Sequence, residues 1–340
     1  MDRGLPDGDT LTTALALAGR APSVHNTQPW QWRIGNRSVH VYADPGMWLR
    51  RTDPDCRDLI LSCGIALHHL RVAFAALGWR PVVHRLPNPA EPDHLASIEL
   101  RRHEPADEEI AMAAAIPRRR SDRRHYSSWP VPATHSSLLA ARAADEDVAV
   151  RVVRETYMRR HVVDAIARAA QSHARDAAYQ LELAHWSGRH GSPAGVPARN
   201  APAPDPEPVP GALPVRAFAN PRLPRSPDHP ATEDAGILLV LGSVTDDRMA
   251  VLRAGEATSA VLLSATALGL ATCPLTEALE VDHTRKLVRQ EVLGNEGQPH
   301  MVLRVGWAPI NADPVPPTPR YPVEELSRDL TGNDRGRVGT

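Results

Sequence analysis

Residues Ala21-Pro22-Ser23-Val24-His25-Asn26-Thr27-Gln28-Pro29-Trp30 form a stretch that neither an amphipathic helix nor an ordinary strand requires. Pro22 and Pro29 fix φ at its two ends, and between them Ser23, Asn26 and Gln28 each carry hydrogen-bond donors and acceptors. The segment reads as a rigid loop shaped to meet a flat polar ligand edge. The plainer reading is a capped turn that leads into a buried Trp30.

A second stretch carries charge. Ile116-Pro117-Arg118-Arg119-Arg120-Ser121-Asp122-Arg123-Arg124-His125-Tyr126 precedes Pro130-Val131-Pro132 and a helix from about Ala133. Five arginines in seven residues around one serine are costly to hold together without an anion, and phosphate suits them, since guanidinium forks bind it bidentately. On composition alone a solvated basic run is an equal reading.

Both stretches resemble motifs of the FMN-dependent nitroreductase family. Its members carry A-P-S-x-x-N-x-Q-P-W after their first long helix, and an R-x-S-x-R segment ahead of a P-V-P helix that clamps the FMN phosphate and the ribityl and pyrimidine region. The resemblance implies an α+β, nitroreductase-like flavin fold in which hydride or two-electron transfer runs through flavin N5. It also implies a small organic substrate, with NAD(P)H as a possible partner. Residue by residue it assigns Pro22, Ser23, Asn26 and Gln28 to one edge of the ring system, and Arg119, Ser121 and Arg123 to the phosphate and pyrimidine end. Pro274, Leu275 and Thr276, which follow Cys273, fall where the family passes a backbone N–H near N5; a simple helix-to-strand turn reads equally well there. Arg320, in Pro319-Arg320-Tyr321-Pro322, matches a late arginine that reaches the phosphate, although a lone arginine in such a tail is ordinarily just solvated. His300 to Trp307 resembles the last core strand. His25 departs from the small residue frequent at its position. With one arginine cluster and no G-x-G-x-x-G loop, FMN rather than FAD is expected.

The order of the motifs is unusual, because the arginine segment follows the Pro-Ser loop instead of preceding it. An internal comparison explains why. Cys63-Gly64 through Gly78-Trp79 aligns without a gap against Ala254-Gly255 through Gly269-Leu270, and Ala16 to Ala21 matches Leu138 to Ala143. Two pseudo-symmetric halves are expected, 1–110 and 111–325, followed by a flexible tail at 326–340. The first half lacks an arginine cluster, and the second has Ala144-Asp145-Glu146-Asp147 where the Pro-Ser loop should stand. The chain therefore resembles a nitroreductase homodimer fused into one polypeptide with one composite FMN site, the layout of the actinobacterial Acg-like branch. Strands are expected at Trp32–Ile34, Val39–Tyr42, Val82–His84, Ser97–Leu100, Val148–Val153, Gly236–Leu241 and Met301–Val305. Twelve of the 33 prolines lie between Pro193 and Pro230, which precludes regular structure and points to a lid over about 187–230.

Composition narrows the remaining classes. With 340 residues, 42% hydrophobic content and a net charge of −1, the chain offers no field for nucleic acid or anionic membrane, and neither is an expected partner. Three cysteines without C-x-x-C spacing, no secretory leader in the first thirty residues and no run approaching eighteen apolar residues point to a reducing, cytoplasmic setting. No metal site is expected from the sixteen histidines, which lack H-x-x-x-H spacing. A monomer or weak dimer is the expected state. Two rival functions stay open: a flavin store whose lid occludes the cofactor, and a specialised FMN-dependent dehydrogenase of a biosynthetic pathway.

Overall fold

The computed structural model describes residues 4–188, 191–204, 211–225 and 234–330. The first half runs α1 (Gly8–Ala18), β1 (Trp30–Ile34), β2 (Ser38–Ala43), α2 (Arg57–Ala76), β3 (Trp79–Arg85), β4 (His94–Arg102) and α3 (Asp107–Ala115). The second runs α4 (Ala133–Ala144), β5 (Ala149–Val153), α5 (Thr156–Arg175), α6 (Ala177–His185), β6 (Ile237–Ser243), α7 (Arg248–Ala267), β7 (Ala271–Pro274), α8 (Glu277–Glu280), α9 (Asp282–Glu291) and β8 (Gln298–Gly306). α10 (Val323–Leu326) and β9 (Ser327–Asp329) close the described chain.

The two sheets share one plan. Strand order is β3-β4-β2-β1 in the first and β7-β8-β6-β5 in the second, antiparallel throughout. Even the irregularity repeats, since the ladder slips between Val41 and Tyr42 in β2 and between Leu241 and Gly242 in β6.

α2 and α7 form the shared core, and two glycines decide how closely they meet. A Cβ on Gly64 would lie 2.2 Å from the Leu252 carbonyl oxygen, and one on Gly255 would lie 2.2 Å from that of Leu61. The gap-free alignment pairs Gly64 with Gly255 and Leu61 with Leu252, so the contact is self-complementary, like an isologous dimer interface. Both helices end in a glycine at positive φ, Gly78 at 85° and Gly269 at 80°, as the left-handed C′ position requires. By length and composition α2 could cross a membrane, with a mean hydropathy of 1.6, yet 83% of that window is buried inside the protein. Its apolar residues serve the core on nearly every side.

All seven expected strands form, with β7 and β9 in addition. The tail expected to be flexible from 326 is a correction in part: Ser327–Asp329 pair parallel with Trp32–Ile34, and the Leu330 N–H donates to the Ile34 carbonyl at 3.0 Å. Residues 331–340 lie outside the described residues. The second half thereby adds an edge strand to the first half's sheet, and the halves interlock. Within the expected lid, the described residues contain one short 3-10 turn at Ala198–Asn200 and two isolated bridges, Ser187 with Val196 and Pro202 with Leu223.

Candidate functional site

The Pro-Ser loop is strained and clasped. His25 (φ 49°), Asn26 (57°) and Gln28 (54°) all occupy the left-handed region within four residues, a conformation costing of order 1–3 kcal/mol for a residue such as His or Gln unless its surroundings impose it. The Ser23 hydroxyl accepts from the Gln28 N–H at 2.9 Å. The Gln28 amide donates to the Pro193 carbonyl at 2.8 Å and accepts from the Tyr321 N–H at 2.9 Å. The Asn26 amide donates to the carbonyls of Pro193, Gly195 and Pro319, each at 3.2 Å. Asn26 and Gln28 therefore differ from expectation: they are not among the residues that line the cavity, and instead they fasten the 193–195 and 319–321 segments to the loop.

Pro22, Ser23 and His25 face a cavity that is partly open to solvent. Leu61, Ser62 and Ile65 of α2 form one wall, and Ser121, Arg123 and Cys273 to Glu277 form another. The two second-half segments are brought together by β7: Ser121 bridges to Thr272, and the Asp122 N–H donates to the Thr272 carbonyl at 2.8 Å. The Leu275 N–H is taken by the Val302 carbonyl at 2.8 Å, and proline has no donor. Of Pro274, Leu275 and Thr276, Thr276 alone keeps a backbone N–H without an acceptor among the described residues.

Beside the cavity lies a nest of arginines. Arg20, Arg119, Arg120 and Arg320 surround one small void together with Ile116 and Thr318. Arg119 is 5% exposed, and its Nε and Nη1 are buried without a hydrogen-bond partner, as are the Nε atoms of Arg20 and Arg320. Among the described residues no carboxylate pairs with any of the four. Burial, then Arg120, Arg20 and Arg123, pulls the Arg119 guanidinium down to about 9; burial, then Arg119, Arg20 and Arg120, does the same to Arg320. A buried guanidinium crowded by three half-buried ones favours an anion between them. Arg20 was not among the sequence candidates, although its place at the base of the loop, just after the glycine that ends α1, was a usable signal. Of the other motif arginines, Arg123 lies 4.9 Å from the Phe218 ring centroid, Arg124 is ion-paired to Asp122 at 2.8 Å, and Arg118 is exposed.

Residues of the proline-rich segment complete the cavity. Arg216 donates to Glu280 at 2.6 Å and to the His25 imidazole at 3.2 Å, while His173 meets Glu277 at 3.3 Å. Phe218 packs edge-on against His25, ring centroids 5.9 Å apart. Burial, reinforced by Arg216 and Arg123, holds His25 well below its ordinary range, so the ring is neutral. Burial pushes the Glu277 carboxyl up, but Arg216 and His173 outweigh it and keep the group ionised.

The pseudo-symmetric counterpart of this cavity is sealed. The alignment pairs Ile65 with Glu256 and, continued in register, Thr276 with Arg85. Glu256, fully buried, accepts from Arg85 at 2.6 and 3.0 Å and from Arg71 at 2.8 Å, and Arg71 also donates to Glu146 at 2.8 Å. Glu146 belongs to the short Ala144–Asp147 segment that replaces the Pro-Ser loop.

No family model matches the chain. It is 53% identical over 327 residues, 96% of this chain and 93% of the relative, to a Mycobacterium tuberculosis protein provisionally named an NAD(P)H nitroreductase. A second such M. tuberculosis protein, acg, is 35% identical over 332 residues, 94% of this chain and 95% of its own. Among solved structures, a provisionally named nitroreductase from Anabaena variabilis superposes with a TM-score of 0.50 at 13% identity, covering 90% of each chain, a likeness of fold. The chain thus belongs to the nitroreductase family, with the mycobacterial Acg protein among its relatives.

Proposed function

We propose that the protein is an FMN-dependent oxidoreductase holding one flavin per chain at the junction of its two halves. The observation that carries this reading is the nest of four arginines, Arg119 buried and the others half-buried, with no carboxylate partner among the described residues, lying beside the cavity that both halves line. Arg20, Arg119, Arg120 and Arg320 would hold the phosphate, and Ser121 and Arg123 the ribityl and pyrimidine end. Pro22 and Ser23 would border the ring, and the Thr276 N–H would face N5. Bound there, FMN supplies two-electron chemistry at N5, and a donor at that edge favours the reduced form. The chain's own part is to bind, orient and exclude water. The sealed counterpart supports one flavin rather than two, which makes the chain the single-polypeptide equivalent of a dimer. NAD(P)H or another hydride donor would reduce the flavin, and a small organic molecule would accept the electrons.

A second reading is favoured by Arg216 and Phe218: a lid locked over the cavity suits a flavin store with little turnover. The purified protein should be yellow and release FMN at about one per chain. Rapid anaerobic bleaching of flavin absorbance on mixing with NAD(P)H marks a reductase, and slow bleaching marks a store. Protein that fails to take up added FMN refutes both.

A further inference from the structure

Reducing an organic molecule by two electrons consumes a proton as well as a hydride, and a donor held beside the cavity delivers that proton faster than chance encounter with solvent. The groups lining the cavity are poor sources. Glu277 is held ionised by Arg216 and His173, His25 is neutral, and the hydroxyls of Ser23, Ser62, Ser121 and Thr276 are too weakly acidic near neutral pH.

One step behind the wall lies a different kind of group. Asp58, in the first turn of α2, is 8% exposed, and its carboxyl makes no hydrogen bond among the described residues. It borders a void, with room for about one water molecule, that is also lined by Asp53, Thr27, Val24 and Ser62. Val24 and Ser62 line the flavin cavity as well, so this void and the cavity share a wall. The Ser62 hydroxyl donates to the Asp58 backbone carbonyl at 2.6 Å and accepts weakly from the Val24 N–H at 3.4 Å. The neighbouring Asp53 is committed elsewhere, its two oxygens accepting from the Arg57 and Leu59 N–H groups at 2.7 and 2.9 Å. Facing Asp58 are Asp53 from the preceding loop, Glu280 from α8, Arg57 from its own helix and Arg216 from the lid. Burial, then Asp53 and Glu280, outweighs the two arginines and pushes the Asp58 carboxyl well above its ordinary range. The counterparts of Asp58 and Ser62 in the other half are Met249 and Arg253, so the pair belongs to the flavin-facing half alone.

We propose that Asp58 is the internal proton supply of the flavin cavity, passing its proton through the water-sized void and the Ser62 hydroxyl to a molecule being reduced there. The inference rests on the flavin reading of the cavity. For a quinone acceptor, two electrons and one proton arrive as hydride at one oxygen, the second proton comes from Asp58 to the other, and hydroquinone leaves. The reduced flavin is oxidised, and Asp58 is left a carboxylate that regains its proton from solvent past the half-buried Met47, which borders the same void.

Two measurements test this, one independent of turnover. Infrared spectroscopy of the flavin-free protein at neutral pH should show the carbonyl stretch of a protonated, buried carboxylic acid, absent in Asp58→Asn and present in Ser62→Ala. Holoprotein reduced with dithionite and mixed anaerobically with a benzoquinone should reoxidise about 100-fold more slowly in Asp58→Asn, the lower range for loss of a positioned acid, with FMN content unchanged. Ser62→Ala should also be slowed. A wild-type spectrum lacking that band, or reoxidation at the wild-type rate in either variant with FMN bound, overturns the proposal while leaving the flavin reading intact. Wild-type protein that binds no FMN overturns the flavin reading, and this inference with it.

Discussion

Glu256→Gln tests whether the second flavin position has become a structural node. The carboxylate is fully buried and accepts three charge-assisted hydrogen bonds, two from Arg85 at 2.6 and 3.0 Å and one from Arg71 at 2.8 Å. At about 1.5–3 kcal/mol each, the three would sum to more than any single substitution should cost. Two features reduce the loss. Glutamine keeps one carbonyl acceptor, and Glu146 retains Arg71 at 2.8 Å and lies 3.7 Å from Arg85. What remains is the penalty for leaving buried guanidinium charge under-compensated, about 3–5 kcal/mol. Urea titration followed by tryptophan fluorescence should register that loss, with a Tm lowered by roughly 5–10 °C. FMN content should stay at one per chain, because the arginine nest is untouched. Arg253→Ala, which removes a half-exposed pair with Asp147, should cost under about 1 kcal/mol. A loss from Glu256→Gln no larger than that control, or the appearance of a second bound flavin, refutes the reasoning.

Other expectations follow from the same geometry. Arg119→Met should weaken FMN binding by about 1.5–3 kcal/mol in a fluorescence titration, Arg20→Ala should act in the same direction, and Arg154→Ala, outside the nest, should not. The same Arg119→Met should stabilise the flavin-free protein by about 1–3 kcal/mol in urea, since it removes a buried cation that has no carboxylate partner among the described residues. Glu280→Gln, which weakens the hold on Arg216, should speed flavin reduction by NAD(P)H about tenfold in stopped flow if the lid gates entry, a change of about 1.4 kcal/mol in the barrier. His40 and His300 are each held down to about 4, by burial and then by His94 and by Arg57 respectively. The unfolded chain therefore binds protons first as pH falls, so this stability is complete above about pH 6.5 and declines towards pH 4, by on the order of 3 kcal/mol per histidine. Urea midpoints that stay level from pH 7 to 4.5 would contradict it.

The repeat was legible because each half must form the same helix against the same partner. Gly64 and Gly255 are needed at one crossing, and Gly78 and Gly269 at one helix end, so identity persists where backbone geometry leaves no choice. Of the motif residues, Ser23 and Arg123 line the cavity and Arg119 and Arg320 the nest, while their roles toward a ligand belong to the proposal. Asn26 and Gln28 misled on direction, since an amide that could hydrogen-bond a ligand can equally bond a proline carbonyl 165 residues away, and no local pattern separates the two. β9 was missed because three residues carry too little periodicity to mark a strand; its place is decided by the free edge of β1.

The two ends of the pseudo-symmetry solve one electrostatic problem in opposite ways. In the sealed position, Arg71 and Arg85 are neutralised by Glu256 and Glu146, groups built into the chain. In the nest, four guanidiniums stand with none among the described residues, a place suited to a compensating charge from a ligand. Burial first, and the neighbouring arginines second, pull Arg119 and Arg320 down to about 9; any anion that fits offsets both and supplies acceptors to their orphaned N–H groups. Binding there is therefore coupled to the stability of the junction, because Arg20 comes from the first half and Arg119, Arg120 and Arg320 from the second. Ligand at 100 times its Kd adds about 2.7 kcal/mol to the folded state by mass action alone. A phosphate-bearing flavin should consequently raise Tm further than riboflavin, which fills the ring cavity but brings no charge to the nest. Equal shifts from the two at matched saturation would mean that the arginines are not where the phosphate sits.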